Sequence, residues 1–204
     1  MAFRSAVVTG ASSGIGQATA QHLDSLGFTV FAGVRSAEAR ERVASEGSGH
    51  VRPLRLDVTD PASIAAAAGE VREAAGTSGL AALVNNAGIA VSGPLELVPI
   101  EGLRNQLEVN VIGQVSVTQA FLPALRAARG RIVNVSSIGG KIALPLAGPY
   151  AASKFALEAI TDSLRRELRH LGVQVIAVEP GGVKTAIWGK GTKAAEAMLI
   201  DADP

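Results

Sequence analysis

Residues 9–16 read Thr-Gly-Ala-Ser-Ser-Gly-Ile-Gly, after an apolar run typical of a strand and before a segment with helical periodicity. The glycines allow a sharp turn and a close approach of the backbone to a ligand, while a helix N-terminus offers unpaired N–H groups to an anion. A tight turn without a ligand would use the same glycines. The strand before and the helix after favour a dinucleotide pyrophosphate, although the Gly-x-x-x-Gly-x-Gly spacing departs from the common Gly-x-Gly-x-x-Gly fingerprint.

Short β-branched runs alternate with helical patterns along the rest of the chain. The apolar runs predict six strands, at residues 3–9, 28–34, 51–57, 80–85, 130–136 and 173–178. Five helices are predicted at residues 14–26, 37–46, 61–75, 101–127 and 150–171. This order predicts an α/β fold in which one parallel sheet carries helices on both faces, within a single domain over residues 1–204. Ligands of such sheets bind beyond the carboxyl ends of the strands.

The composition excludes several classes of protein. The 204 residues are 48% hydrophobic and 18% charged, which is too apolar for a disordered chain, and the net charge of +1 gives no electrostatic reason to expect nucleic acid as a partner. Cysteine is absent and the three histidines lack metal-ligand spacing, so no metal is expected. No targeting segment is visible, and polar and glycine residues interrupt the uncharged stretch 74–95, so we expect a cytoplasmic protein without a membrane span.

The second predicted strand ends in Arg35, where dinucleotide-binding folds that select NAD usually carry an acid. A carboxylate there would repel a 2′-phosphate, whereas a guanidinium binds it through a charge-assisted fork. An ordinary solvated arginine is the alternative. Given the glycine loop upstream, Arg35 favours NADP over NAD.

Tyr150, the single tyrosine, is followed four residues later by Lys154. On a helix this spacing places both side chains on one face, and a neighbouring ammonium favours the phenolate, as acid–base chemistry requires. Such a pair is often only a surface contact. Here, however, Ser136 and Ser137 follow the fifth predicted strand and residues 85–88, Asn-Asn-Ala-Gly, follow the fourth, at the same edge of the sheet.

These motifs together resemble the short-chain dehydrogenase/reductase family of NAD(P)-dependent oxidoreductases, which have a Rossmann-type doubly wound sheet. The matching residues occur in the family's order over residues 3–188: the glycine loop 9–16, Asp57-Val58, residues 85–88, Asn110, Ser136-Ser137, Tyr150-x-x-x-Lys154, and Pro180-Gly181 leading to Thr185. The resemblance implies interconversion of an alcohol and its ketone or aldehyde, with hydride passing between nicotinamide C4 and the substrate carbon.

The resemblance also implies a role for each catalytic residue. Tyr150 is expected to be the acid/base, and Ser137 to orient the substrate oxygen, with Ser136 as the weaker candidate. Lys154 is expected to lower the pKa of Tyr150 and to hold the nicotinamide ribose. Asn110 is expected to support a water that leads protons to Lys154; its alternative role is that of a bridged polar group in a long helix.

Cofactor contacts follow from the same resemblance. The loop residues are expected at the pyrophosphate, Arg35 at the 2′-phosphate, Asp57 and Val58 at the adenine, the segment after the fourth strand beside the adenosine ribose, and the segment after the sixth strand at the nicotinamide. The remaining members of this set are Gly10, Ser12, Ser13, Gly14, Ile15, Gly16, Asn86, Ala87, Gly88, Pro180, Gly181, Val183 and Thr185. Some NADP-preferring relatives carry a basic residue where this chain has Ser13.

Two other functions share the fold. A sugar-nucleotide epimerase or dehydratase also uses Tyr-x-x-x-Lys, but usually with another glycine spacing and a larger C-terminal domain. A regulatory cofactor sensor would need the glycine loop but no proton donor. The apolar stretches 90–97 and after Ser137 suggest an apolar alcohol or carbonyl substrate, and the family suggests a homodimer or homotetramer.

The C-terminal part carries two further expectations. Residues 186–204 are predicted to be a substrate-covering segment, in which Trp188 is either part of a lid or an ordinary apolar anchor. No seventh β-branched run follows residue 178, although the family normally has one further strand. A sheet ending there would leave apolar surface uncovered, so we expect the sequence to be truncated or a partner subunit to cover that side.

Overall fold

The computed structural model describes residues 4–183 together with Thr185, Ile187 and Met198. The strands are β1 (Ser5–Thr9), β2 (Thr29–Val34), β3 (Val51–Arg55), β4 (Ala82–Asn85), β5 (Arg131–Val135) and β6 (Gln174–Val178). They form one sheet in the order β3-β2-β1-β4-β5-β6, and every neighbouring pair is parallel. This confirms the predicted doubly wound parallel sheet, with each strand shorter than predicted by one or two residues.

Six α-helices connect the strands. They are α1 (Gly14–Ser25), α2 (Ala37–Glu46), α3 (Pro61–Ala75), α4 (Ile100–Leu107), α5 (Gly113–Ala128) and α6 (Gly148–Leu168). The single helix predicted over 101–127 is wrong in one respect, because a π-helical turn, Glu108–Ile112, separates α4 from α5. The last predicted helix begins two residues earlier than expected and ends in a 3₁₀ turn, Arg169–Leu171.

Local capping explains why two helices have the predicted bounds. The Asp60 carboxylate accepts a hydrogen bond from the Ala62 N–H, and Pro61 occupies the first turn of α3. The Ser36 hydroxyl accepts a hydrogen bond from the Ala39 N–H at the start of α2. Both contacts satisfy N–H groups that a helix start leaves unpaired, and both are visible in the sequence as a capping residue before a helical pattern.

The sheet buries both of its faces. Val7, Phe31 and Leu83 pack in a cluster that includes residues of α3, α5 and α6. Their chain neighbours Val8 and Val84 belong to a second cluster, which includes residues of α1 and α2. Successive side chains of a strand point to opposite faces, so continuous apolar runs are what a sheet covered on both sides requires.

The edge strand β6 is less well covered. Ile176 and Val178 are 38% and 44% exposed, whereas Val175 on the opposite face is buried. A second cavity of about 610 Å³ lies on this side of the sheet, lined by residues of α1, β4 and β5 as well as by Val178. Residues 186–204, predicted to be a substrate-covering segment, fall outside the described residues apart from Ile187 and Met198.

None of the helices in the described part of the chain has the length and apolar character that crossing a membrane requires.

Candidate active site

A cleft of about 520 Å³ opens beyond the carboxyl ends of the strands. β1 and β4 are neighbours at the centre of the sheet although β2 and β3 lie between them in the chain, so the connections leave this point in opposite directions. That is the position at which doubly wound sheets bind ligands. Most residues predicted for the site line the cleft: Gly10, Ser12, Ser13, Gly14, Ile15, Arg35, Asp57, Val58, Asn86, Ala87, Gly88, Ser137, Tyr150, Lys154, Pro180, Gly181, Val183 and Thr185.

Gly16 and Asn110 are the predicted site residues that do not line this cleft. Gly16 is buried, and a Cβ there would collide with the side-chain amide of Asn86 and with the Gly10 carbonyl oxygen. Gly16 therefore serves the packing of the loop against the segment after β4. Gly10 has a φ of 64°, in the left-handed region, and a Cβ there would lie 2.8 Å from Cα of Ala87.

The first turn of α1 is open to an anion. Ser13 precedes the helix without a side-chain capping bond, and the turn contains no acidic residue. The N–H groups of a helix start need an acceptor, and the positive end of the helix dipole favours a negative one. These features fit a pyrophosphate.

Arg42 supports this loop from α2, donating a hydrogen bond to the Ser12 carbonyl oxygen at 2.7 Å. No signal in the sequence predicts this contact, because Arg42 lies thirty residues from Ser12 and resembles any charged residue on an exposed helix face.

Arg35 and Asp57 lie at the adenosine end of the cleft. Partial burial acts to raise the pKa of Asp57, but hydrogen bonds from the Thr59 N–H and hydroxyl, with the charges of Arg35 and Arg55, hold it below its ordinary value. Asp57 is thus a carboxylate flanked by two guanidinium groups. Cationic charge at the ends of β2 and β3 fits a phosphate at this end.

Three side-chain amides hold the segment after β4, and we call Gln106, Asn110 and Gln114 the amide ladder. Gln106 donates to the Ile89 carbonyl and accepts from the Val91 N–H at 2.6 Å. Asn110 pairs with both backbone groups of Ile89, at 2.9 and 3.0 Å. Gln114 donates to the Ala87 carbonyl. The four-residue spacing was visible in the sequence, but only the fold shows what the amides bind.

Asn110 occupies the π-helical turn and is completely buried. Its amide donates to Ile89 and to the Ser153 hydroxyl at 3.1 Å, which uses both of its hydrogens. These contacts are those of a bridged polar group, the alternative drawn from the sequence. The expected support of a water that leads protons to Lys154 stays a prediction.

The side chain of Asn86 likewise forms its hydrogen bonds within the protein. Its amide donates to the carbonyl oxygens of Thr9 and Gly10, at 2.9 and 3.2 Å. The Thr9 hydroxyl in turn accepts from the N–H groups of Asn86 and Ala87. These contacts join the end of β1 to the end of β4, so Asn86 shapes the cleft as well as lining it.

Ser137, Tyr150 and Lys154 meet at the other end of the cleft. Ser137 follows β5 and accepts a hydrogen bond from the Gly139 N–H at 3.0 Å. Tyr150 lies in the first turn of α6 and is hydrogen-bonded to the Ser137 hydroxyl. Lys154 lies one turn further on, with Nζ 5.7 Å from the centroid of the Tyr150 ring. The predicted grouping of a hydroxyl, a phenol and an ammonium is present.

The protonation of this group differs from the sequence expectation. Burial raises the pKa of the Tyr150 phenol above its ordinary value, and the hydrogen bond with Ser137 opposes that rise. Burial lowers the pKa of Lys154 to about 8, against the opposing charge of Glu158. Lys154 is not among the causes of this shift in the Tyr150 pKa; its Nζ donates to the Val135 carbonyl at 2.8 Å and lies over the Tyr150 ring, so the expected lowering of the Tyr150 pKa by Lys154 stays a prediction.

Two apolar loops meet near the start of α6, the helix that carries Tyr150. The Gly93 N–H donates to the Leu146 carbonyl, and Leu95 packs on Gly148 at the start of α6. Leu95 and Leu144 are 68% and 64% exposed. The side chain of Met198 lies against Gly93. Trp188, predicted for a lid, falls outside the described residues.

Comparison with known proteins agrees with this fold and cleft. The profile of the short chain dehydrogenase family matches residues 4–196. A solved short-chain dehydrogenase from Streptomyces avermitilis superposes with a TM-score of 0.84 at 36% identity, over 93% of this chain and 69% of that one. The chain belongs to the short-chain dehydrogenase/reductase family, as its motifs predicted.

Two curated relatives are similar in sequence. One is an NADPH-dependent 3-dehydrocapnine reductase from Ornithobacterium rhinotracheale, 44% identical over 92% of this chain and 68% of the relative. The other is the mouse estradiol 17-beta-dehydrogenase 2, 45% identical over 91% of this chain and 50% of the relative. The chain thus spans about half to two thirds of the length of these relatives.

Proposed function

We propose that the protein is an NADP(H)-dependent oxidoreductase that interconverts a primary or secondary alcohol and its aldehyde or ketone. The observation that carries the proposal is that Ser137, Tyr150 and Lys154 share one cleft with the glycine loop and the open N-terminus of α1. An anion-binding loop alone would suit any dinucleotide protein. A buried phenol hydrogen-bonded to a serine at the far end of the same cleft adds a proton donor.

Different residues along the cleft would bind different parts of a dinucleotide. The N–H groups at the start of α1 would hold the pyrophosphate, and Arg35 with Asp57 and Val58 the adenosine end. Pro180, Gly181 and Lys154 would border the nicotinamide, which supplies or accepts the hydride when bound. The cleft's volume is within the range of ordinary cofactor sites.

Proton transfer falls to Tyr150. Because its pKa is raised, the phenol is neutral near pH 7 and able to donate its proton to a carbonyl oxygen. The Ser137 hydroxyl would orient that oxygen. As the substrate carbon receives a hydride and its oxygen receives the phenol proton, a ketone or aldehyde becomes an alcohol. A neutral phenol is the form that the reductive direction requires, because the acid must hold its proton before reaction.

Cofactor choice rests on charge at the ends of β2 and β3. Arg35 and Arg55 both act on Asp57, so cationic charge surrounds the position of a 2′-phosphate, and β2 itself ends without an acid. The relative from Ornithobacterium is named as NADPH-dependent, which supports the same choice.

Apolar side chains near the start of α6 support an apolar substrate. Leu95 packs on Gly148 and is largely exposed, as is Leu144, and one similar protein is named for estradiol, an apolar alcohol. The cytoplasmic location and the homodimeric or homotetrameric assembly expected from the sequence belong to the same proposal.

A regulatory cofactor sensor is the other function considered, and the buried Ser137–Tyr150 pair speaks against it, because a sensor needs no proton donor. The test is the oxidation of NADPH and of NADH, followed by absorbance, with a panel of apolar ketones and aldehydes and polar sugars. We expect turnover with an apolar carbonyl compound and NADPH. Binding of NADPH without turnover on any member of the panel would favour the sensor.

A further inference from the structure

Three charged side chains form a cluster beside the catalytic group, and we call Lys141, Glu158 and Glu179 the Glu158 cluster. Nζ of Lys141 lies 3.0 Å from Oε2 of Glu158 and 3.4 Å from Oε1 of Glu179. Lys141 follows the 3₁₀ turn Ile138–Gly140, Glu158 lies on α6, and Glu179 follows β6. The cluster therefore joins the three segments that carry Ser137, Tyr150 with Lys154, and Pro180.

Burial separates Glu158 from its two partners. Its side chain is 13% exposed, against 52% for Lys141 and 40% for Glu179. Oε1 of Glu158 is buried without a hydrogen-bond partner among the described residues. A carboxylate held in this way costs stability unless other charges compensate it. An exposed ion pair alone would not explain why this carboxylate is buried.

The packing around Gly140 brings this carboxylate against the catalytic segment. A Cβ at Gly140 would lie 2.9 Å from Oγ of Ser136 and 3.0 Å from Cγ of Glu158. It would also lie 3.2 Å from the Lys154 carbonyl oxygen. Glycine at this position thus allows the turn after β5 to approach α6 closely. Backbone bonds tie the same turn to the end of β6, since the Ile138 N–H donates to the Pro180 carbonyl at 3.0 Å.

Glu158 also faces Lys154, which precedes it by one helical turn on α6. Residues four apart share a helix face, and charges interact strongly where the solvent is excluded, as around Lys154, which is only 4% exposed. The other polar groups around this lysine are Tyr150 on its own helix, the Val135 carbonyl at the end of β5 and Ser136 after it, Lys141 and Glu179 beyond them, and the uncharged Asn110 on the π-helical turn.

We propose that Glu158 is a positioning residue of the active site, whose carboxylate holds the Ser137 segment on α6 and provides the counter-charge to the Lys154 ammonium. The proposal rests on the proposed function only in calling the site catalytic. Burial lowers the pKa of Lys154 to about 8, and the charge of Glu158 opposes this fall. Without that charge, Lys154 would lose its proton at a lower pH.

The test is a pH titration of Lys154 by NMR of protein labelled with ¹⁵N-lysine, with its Nζ signal assigned from the Lys154→Arg variant. In Glu158→Gln we expect the midpoint of Lys154 to fall by about 1 pH unit. Glu167→Gln is the matched control, since Glu167 is an exposed glutamate further along α6. The Lys154 midpoint in this variant should equal that of the wild type. Equal midpoints in folded Glu158→Gln and wild type would overturn the proposal.

Two further variants distinguish the role of Glu158 as counter-charge to Lys154 from a role in which it only joins the segments through its ion pair. The double variant Lys141→Glu with Glu158→Lys restores an ion pair but places a cation beside Lys154, so its midpoint should fall further than in Glu158→Gln. A return to the wild-type midpoint would contradict the proposal. If Glu158→Gln does not fold, Lys141→Gln decides, because removing that cation should raise the Lys154 midpoint, and an unchanged midpoint would count against the proposal. These titrations need no substrate, so an inactive protein with the expected shifts would refute the proposed function alone.

Discussion

The Tyr150 side chain is 6% exposed and shares a hydrogen bond with Ser137, and its hydroxyl is the atom on which the proposed chemistry depends. Tyr150→Phe removes that hydroxyl and keeps the ring that packs at the start of α6. We expect the turnover number to fall by about a hundredfold to ten-thousandfold, the usual contribution of an acid–base group, with little change in the dissociation constant of NADPH. Steady-state kinetics and fluorescence titration measure the two quantities. A variant that kept half of the wild-type turnover would remove Tyr150 from the mechanism.

Lys154 makes the stability of the protein depend on pH. Its pKa is lowered by burial to about 8 from 10.5, so between these values the unfolded chain binds the proton and the folded one releases it. Stability therefore rises with pH in this window, and the cost of burying the charge is fully present below pH 8.

We expect the free energy of unfolding of the wild type, relative to Lys154→Met, to rise by up to about 3 kcal/mol from pH 8 to 10.5. Urea denaturation of both proteins at several pH values measures this difference, in which groups unaffected by the substitution cancel. A difference independent of pH would show that Lys154 titrates in the folded protein as it does in the unfolded one.

Among the elements, α5 begins in unusually close contact with the adenosine end of the cleft. A Cβ at Gly113 would lie 2.7 Å from the Val58 carbonyl oxygen, whereas a Cβ at Gly69, inside α3, would meet nothing within 4 Å. We expect Gly113→Ala to lower the free energy of unfolding by about 1–3 kcal/mol and to weaken NADPH binding. Gly69→Ala, the matched control, should raise the free energy of unfolding by about 0.5–1 kcal/mol with no change in NADPH binding. Urea denaturation and cofactor titration of both variants test this, and equal losses of stability would contradict it.

The elements also show where the sequence is informative. The starts of α2 and α3 follow from caps between residues two or three apart in the chain, Asp60 with Ala62 and Ser36 with Ala39. The π-helical turn has no such local signal. It occurs where Asn110 pairs with Ile89 and Ser153, distant residues that the sheet brings into reach.

The same distinction between local signals and distant contacts applies to the residues of the site. Most of the predicted site residues line the cleft, because they belong to motifs that either follow a strand or, as with Tyr150 and Lys154, share one helix face. Arg42, Gln106 and Glu158 were not predicted, since each acts through a contact with a segment distant in the chain. The protonation of Tyr150 could not be predicted either, because it depends on how deeply the phenol is buried.

For the whole molecule, the cleft joins the two halves of the sheet, so a ligand bound there should stabilise the folded state. At a hundredfold excess over the dissociation constant, NADPH should contribute about 2.7 kcal/mol and raise the melting temperature by about 5–10 °C. Arg35→Gln should reduce the shift caused by NADPH and leave that caused by NADH, since a charge-assisted contact is worth about 1.5–3 kcal/mol. Thermal denaturation by circular dichroism provides the measurement.

Arg40→Gln is the control for this comparison, because it removes the same charge from a nearby exposed position on α2 that does not line the cleft. Its two shifts should equal those of the wild type. If both variants lost the same part of the melting-temperature shift caused by NADPH, general positive charge, and not a contact by Arg35, would select the cofactor.

The amide ladder has a consequence for how this protein could diverge. The hydrogen bonds from Gln106, Asn110 and Gln114 to residues 87–91 all go to backbone atoms. The backbone of this segment, which forms one wall of the cleft, is therefore held in place whatever side chains it carries. Ala90 lines the cleft, whereas Ile89 lines it and also packs against the apolar core. A new side chain at Ala90 should therefore change substrate preference while the wall that supports it is kept, and directed evolution of selectivity should begin at this position.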